Sequence, residues 1–211
     1  MRETPFFRGL QVIAAAAVII TAGCLGKSSP TRFYDLTPLT KDQARSEGER
    51  PARNKAVGVG PVNLADYLDQ SSLVTRTGDN RLIHAEFDQW AGSLKNNLVN
   101  TLAENIGLLL PTDRLYIYPW RLSGPVDYQV LVDVVQFDGR PGADAMLVAR
   151  WSILGSRESE PLVANRSSIR EPVQGPDYAA MVAAQSRALA KLSREIVAAI
   201  QAASQGRLPE K

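Results

Sequence analysis

Cysteine and histidine are nearly absent from this chain: 211 residues contain one of each, Cys24 and His84. A single cysteine excludes an internal disulfide, and a lone histidine far from any cysteine lacks the spacing of a zinc site. Neither charge sign is in excess, with 24 Lys and Arg against 22 Asp and Glu, so nothing points to nucleic acid or to a metal-buffering acidic tail. The G-x-S-x-G elbow of a serine hydrolase is missing, and Gly92-Ser93 falls within a helical pattern. Gly58-Val59-Gly60 would need a third glycine at position 63 to cradle a dinucleotide; Asn63 stands there, and Pro61 interrupts the passage from strand to helix. The carboxylate pairs Asp66/Asp69 and Asp133/Asp138 fall on expected loops and strands and read as solvated, while His84 reads as a surface or capping residue at a strand end or helix start. These absences predict a protein that is not an enzyme and holds neither metal nor cofactor.

A long apolar run is also missing. The longest, Leu10 to Ala22, is interrupted by Gln11 and Thr21 and would span ~20 Å as a helix, short of the ~30 Å of a bilayer core. Arg2 and Arg8 precede it and Ala22-Gly23 close it, which is the order of a secretory signal peptide. The closing Thr21-Ala22-Gly23-Cys24 resembles the bacterial lipobox, in which a cysteine after a small residue is acylated and becomes the mature N-terminus; Thr21 departs from the usual leucine. The expected cleavage lies between Gly23 and Cys24, with N-acyl and S-diacylglycerol groups on Cys24. Acylation would also remove the liability of an unpaired thiol in an oxidising compartment. Removing the first 23 of 211 residues leaves 188, about one ordinary domain. Leu25-Gly26 follow the cysteine, without the aspartate that retains many lipoproteins at the inner membrane, so the resemblance implies the outer membrane, with the body in the periplasm.

Residues 24–31 read as a lipidated N-terminus and polar tether, 32–204 as the domain and 205–211 as a tail. Within the domain, Arg32 to Leu36, Ala56 to Val62, and the pair Leu73 to Arg76 and Arg81 to His84 around Gly78-Asp79-Asn80 read as strands, the last two as a hairpin. A polar stretch at about 38–55 reads as a flexible loop. Phe87, Trp90, Leu94, Leu98, Leu102, Ile106 and Leu109 keep helical spacing, as do Tyr178, Met181, Gln185, Leu189, Leu192, Ile196 and Ile200 after Gly175-Pro176-Asp177. Between these helices, even positions from Val126 to Val134 and odd positions from Ala145 to Ile153 alternate as two strands, and a third is expected around Ala164 to Arg170. The expected fold is one α+β or α/β domain: a mixed sheet of six to eight strands with two main amphipathic helices on one face.

Aromatics concentrate in the middle of the chain. In Leu115 to Trp120, strand alternation puts Tyr116 and Tyr118 on one face. Ordinary sheet packing explains this, and so does a contact surface, since Tyr, Trp and Arg are enriched where proteins meet. On the second reading Tyr116, Tyr118 and Trp120, with Arg76, Asn80 and Arg81 of the hairpin, are the candidate partner-binding residues.

The succession of the lipobox, RFYDL, VGVGPVNLADYLD, VTRTGDNRL, AEFDQW, LPTDRLYIYPW, VDYQVLVDV and AAQSRALAKLSREI resembles the ABC-type transport auxiliary lipoprotein family over nearly all of the expected mature chain. The resemblance implies an outer-membrane lipoprotein that docks an MCE-domain protein of an ABC-type lipid transporter as a homo-oligomeric ring, without catalytic residues. The alternative is an envelope lipoprotein regulating another periplasmic machine, such as one of cell-wall synthesis.

Overall fold

The computed structural model describes residues 29–45, 55–78, 80–110, 112–119, 125–156 and 160–207. Gly23, Cys24 and Trp120, and residues 46–54 of the expected loop, lie outside the described residues. Strand β1 (Arg32–Tyr34) leads through a short helix α1 (Lys41–Arg45) to β2 (Val57–Leu64), a 3-10 turn (Asp66–Leu68), and the β3 (Ser72–Arg76) and β4 (Leu82–Trp90) hairpin. Helix α2 (Leu94–Leu109), β5 (Leu115–Ile117), the meander β6 (Tyr128–Gly139), β7 (Asp144–Gly155) and β8 (Val163–Pro172), and helix α3 (Tyr178–Ser204) complete the domain.

The long strand β6 organises an eight-stranded mixed sheet. On one side it carries β7 and then β8, both antiparallel. On the other, its first half is parallel to β2, which is parallel to β5. Its last residue, Gly139, meets Thr75 of β3, beyond which lie β4 and β1. The order of elements makes this α+β with a mixed sheet, as expected.

Helix α2 lies against β2 and β5, and α3 against β6, β7 and β8; the two helices touch each other, so both cover one face. Buried Leu94, Leu98, Leu102, Ile106 and Leu109 form the inward stripe of α2. Met181, Gln185, Leu189, Leu192, Ile196 and Ile200 form that of α3. Each large aliphatic side chain so covered contributes about 1.5–3 kcal/mol relative to exposure. Facing them, Ala145, Leu147, Ala149, Trp151 and Ile153 of β7 are buried at alternate positions, as the sequence pattern predicts. The other face is polar: Asn63 donates to Asp133 at 2.8 Å beside exposed Arg150.

Two local expectations need correction, and one feature of β6 was not expected. The helical stripe begins at Leu94, because Phe87 and Trp90 belong to β4. Ser93 ends the strand connection by capping α2, its hydroxyl accepting from the Asn96 N–H, while Trp90 stacks on Phe137 with ring centroids 6.4 Å apart. His84 therefore lies within a strand, exposed, 3.2 Å from the Ser72 hydroxyl. Within the expected loop at 38–55, Lys41–Arg45 form helix α1 and the segment before it is held in place. Leu36 and Leu39 are buried, and the N–H groups of Leu36, Thr37 and Leu39 donate to Asn97, Ser186 and Asn105 on the two helices. Polar helix positions supply these acceptors, which no apolar periodicity reveals. Finally, β6 holds one extra residue, Val135, between the pairs Val134↔Ala149 and Gln136↔Val148. This bulge switches the inward phase from even positions to odd, so that Phe137 enters the core and Asp138 turns the other way.

Candidate interaction surface

The candidate residues fall at two ends of β6. Tyr116 and Ile117 of β5 register with Gly58 and Val59, which register in turn with Gln129 and Val130 near the start of β6. Arg76 follows Thr75, the partner of Gly139 at the end of β6. About ten residues of strand separate the two groups, roughly 30 Å at ~3.3 Å per residue. The hairpin cations and the β5 aromatics therefore do not form one surface.

At the β5 end, Tyr118 and Ile117 are 52% and 42% exposed, whereas Tyr116 is half-buried. The Tyr118 N–H donates to the Val59 carbonyl at 2.9 Å, extending the pairing to the strand tip. Gly60 permits this closeness: its φ is +111°, and a Cβ there would stand 2.9 Å from that of Tyr118. The edge strand, the bend of β2 and the first turns of α2 enclose an open cleft of about 500 Å³, lined in part by Val59, Pro61, Lys95, Asn96, Ile117 and Tyr118. An edge strand with exposed apolar side chains beside a cleft can receive an apolar peptide or protein segment.

The hairpin end is polar. Asn80 and Arg81 are exposed, and Arg81 donates to the Thr77 hydroxyl at 2.9 Å, closing the turn. Arg76 is turned inward. Its guanidinium donates to Asp138 at 2.8 Å, and the same carboxylate accepts from Tyr67 at 2.9 Å and Gln136 at 2.9 Å. Burial first, then the charge of Asp138, pushes the Tyr67 phenol up to about 12, so it remains a neutral donor at physiological pH. The hydrogen bond to Asp138 likewise holds the Arg76 pKa above its ordinary value. Beside this group, Arg170 pairs with Asp144 at 2.8 Å in a cleft of about 260 Å³ that Arg140 also lines. Arg76, a candidate for partner binding by sequence, thus also compensates a buried charge.

A second cluster escaped sequence reasoning. Asp88 of β4 accepts two hydrogen bonds from Arg32, each 2.8 Å, and one from Tyr34 at 2.6 Å. Burial and the bond to Asp88 raise the Tyr34 phenol to about 12. The only signal was the alternation of RFY itself: Arg32 and Tyr34 share one side and leave Phe33 on the other, 63% exposed. Of the strand pair expected to be solvated, Asp133 accepts from Asn63 on the exposed face, whereas Asp138 is buried, its charge compensated by donors from Arg76, Tyr67 and Gln136. No group of three or more His, Cys, Asp or Glu placed to hold a metal occurs among the described residues.

These features define an α+β domain with both helices on one face of a mixed sheet, an open polar face and accessible edge strands at β1, β5 and β8. A family model described as "ABC-type transport auxiliary lipoprotein component" matches residues 34–197, and the chain belongs to that family. It is similar to the intermembrane transport lipoprotein PqiC of Escherichia coli K12, with 25% identity over 139 residues, which cover 66% of this chain and 71% of the relative. The PqiC of Shigella flexneri matches equally. Among solved structures, a Xanthomonas campestris protein superposes with a TM-score of 0.66 at 17% identity, covering 83% of this chain and 98% of that one. An uncharacterized protein of known crystal structure gives 0.66 at 22% identity, covering 82% and 99%. At such identities these two structures speak to the fold.

Proposed function

We propose that this chain is an outer-membrane lipoprotein of the periplasm, and that it serves an MCE-type ABC intermembrane lipid transport system as a non-catalytic docking subunit. The supporting observation is the family match over residues 34–197, downstream of a signal-like segment ending in Ala22-Gly23-Cys24. The relatives named for intermembrane transport point the same way. On this reading residues 1–23 are removed, Cys24 carries the acyl groups, 24–31 form the tether, 32–204 the working domain and 205–211 a tail. Two or more acyl chains hold a protein firmly, since each buried CH₂ contributes ~0.8 kcal/mol.

The β5 end is the surface we assign to the MCE-domain partner. Exposed Ile117 and Tyr118 beside a cleft of about 500 Å³ offer an apolar centre with a polar rim of Lys95 and Asn96. Tyr116 and Trp120 belong to the same segment. Such a dock is expected to assemble as a ring of identical subunits.

A photo-crosslinking residue placed at Tyr118 in the membrane-bound protein tests the assignment. The expected product is an adduct with an MCE-domain protein, lost in Ile117→Ser, with the urea midpoint unchanged because residue 117 lies outside the core. A dominant adduct with a cell-wall synthase or another envelope machine would replace this reading with the alternative. Arg76→Ala is unsuitable as a binding probe, because it strands Asp138, whose side chain is 2% exposed.

A further inference from the structure

We infer that Phe33 seats this domain on the lipid surface, and that the β1 end of the sheet therefore faces the membrane. The inference rests on acylation of Cys24. Phe33 is 63% exposed, more than any other large apolar side chain among the described residues. Its position is held firmly. The Arg32 guanidinium makes a two-pronged pair with buried Asp88, Tyr34 donates to the same carboxylate, and β1 registers with β4 at Phe33↔Gln89. Alternation along the strand puts Arg32 and Tyr34 on the side of Asp88 and Trp90, so Phe33 is directed away from the core.

The chain before β1 names the occupant. Nine peptide units join Cys24 to Phe33, a covalent reach of at most about 30 Å. An acylated Cys24 thus brings a lipid surface to this residue before any soluble partner needs to be found. A phenyl ring with no place in the core is suited to the boundary between headgroups and acyl chains, where apolar side chains settle ~5–10 Å deep. Tyr118 follows β5, which closes the strand order β1-β4-β3-β6-β2-β5 at the other edge from β1, so it lies away from the membrane and on the periplasmic side, where a partner arrives.

The acylated cysteine also makes the test clean, since it is the only one in the chain and F33C supplies the sole free thiol. The acylated F33C protein, labelled with an environment-sensitive fluorophore, is reconstituted in phosphatidylethanolamine–phosphatidylglycerol vesicles containing a headgroup nitroxide lipid. I117C serves as the distal comparison. The expected result is quenching of at least about twofold at position 33, as for a group ~5–10 Å deep, with little or none at 117. Vesicle-bound protein whose position 33 is unquenched, whether open to soluble iodide or shielded by a second copy or another protein, overturns the inference while leaving the anchor intact. Protein that fails to float with vesicles and shows an unmodified Cys24 by mass spectrometry overturns the anchor reading, and this inference with it.

Discussion

Asp88 shows how one buried carboxylate can decide the placement of a strand. β1 is three residues long and among the described residues pairs with β4 alone, so its backbone bonds by themselves hold it weakly. Arg32 and Tyr34 converge on Asp88 and fasten it. The Arg32 hydrogen bonds hold the Asp88 carboxyl below its ordinary 3.8, outweighing the opposing push of burial, with Tyr34 adding in the same direction. A carboxylate whose folded-state pKa is depressed stabilises the fold above its unfolded value and loses that contribution as pH falls through the folded value. Glu171 has the same sign: burial pushes it up, but the bonds from Lys191 and Arg187 prevail. The urea midpoint is therefore expected to be flat from about pH 7 to 5 and to fall towards pH 3. Asp88→Asn should flatten part of that fall, leaving the share of Glu171; an unchanged pH profile in the variant would remove Asp88 from the account.

Among the elements, the segment from Leu36 to α1 is the least conventional. It runs across both helices and satisfies its N–H groups with side-chain acceptors rather than with a neighbouring strand. Asn105, fully buried, is central to it. Its carbonyl accepts from Leu39 at 2.7 Å, its amide donates to Ser193 at 3.2 Å, and Ser193 donates onward to the Leu189 carbonyl at 2.8 Å. Asn105→Ala would leave the Leu39 N–H buried without an acceptor and open a small void, so a loss of about 2–3 kcal/mol is expected. Hydrogen exchange should quicken first in residues 36–45, ahead of α2 and α3. Uniform quickening across the domain would show that Asn105 supports the helix pair rather than this crossing segment.

For the whole molecule, the anchor and the fold should be separable. Position 24 precedes β1 by eight residues and lies outside the family match, which begins at residue 34. Cys24→Ser is expected to leave thermal unfolding of the domain unchanged while the protein either stays as the uncleaved precursor or leaves the membrane fraction. A mature Cys24→Ser protein that still floats with membranes would place the anchor elsewhere.

The sequence by itself determined the class of the protein, because the quantities involved are local or periodic. A short apolar segment before a small residue and a cysteine, two stripes at helical spacing and two strands of alternating side chains can each be read within about 25 residues. The eight-stranded mixed sheet with both main helices on one face agrees with that reading. Tertiary structure alone decided the rest, since those features depend on partners distant in sequence. The spacing from Phe87 through Trp90 fits a helix, yet pairing with β1 and β3 makes those residues strand. Arg76 resembles a binding arginine until Asp138, brought beside it from 62 positions away, engages its guanidinium. The separation of the hairpin from the β5 aromatics follows from where each pairs along β6, a register that neither segment encodes alone.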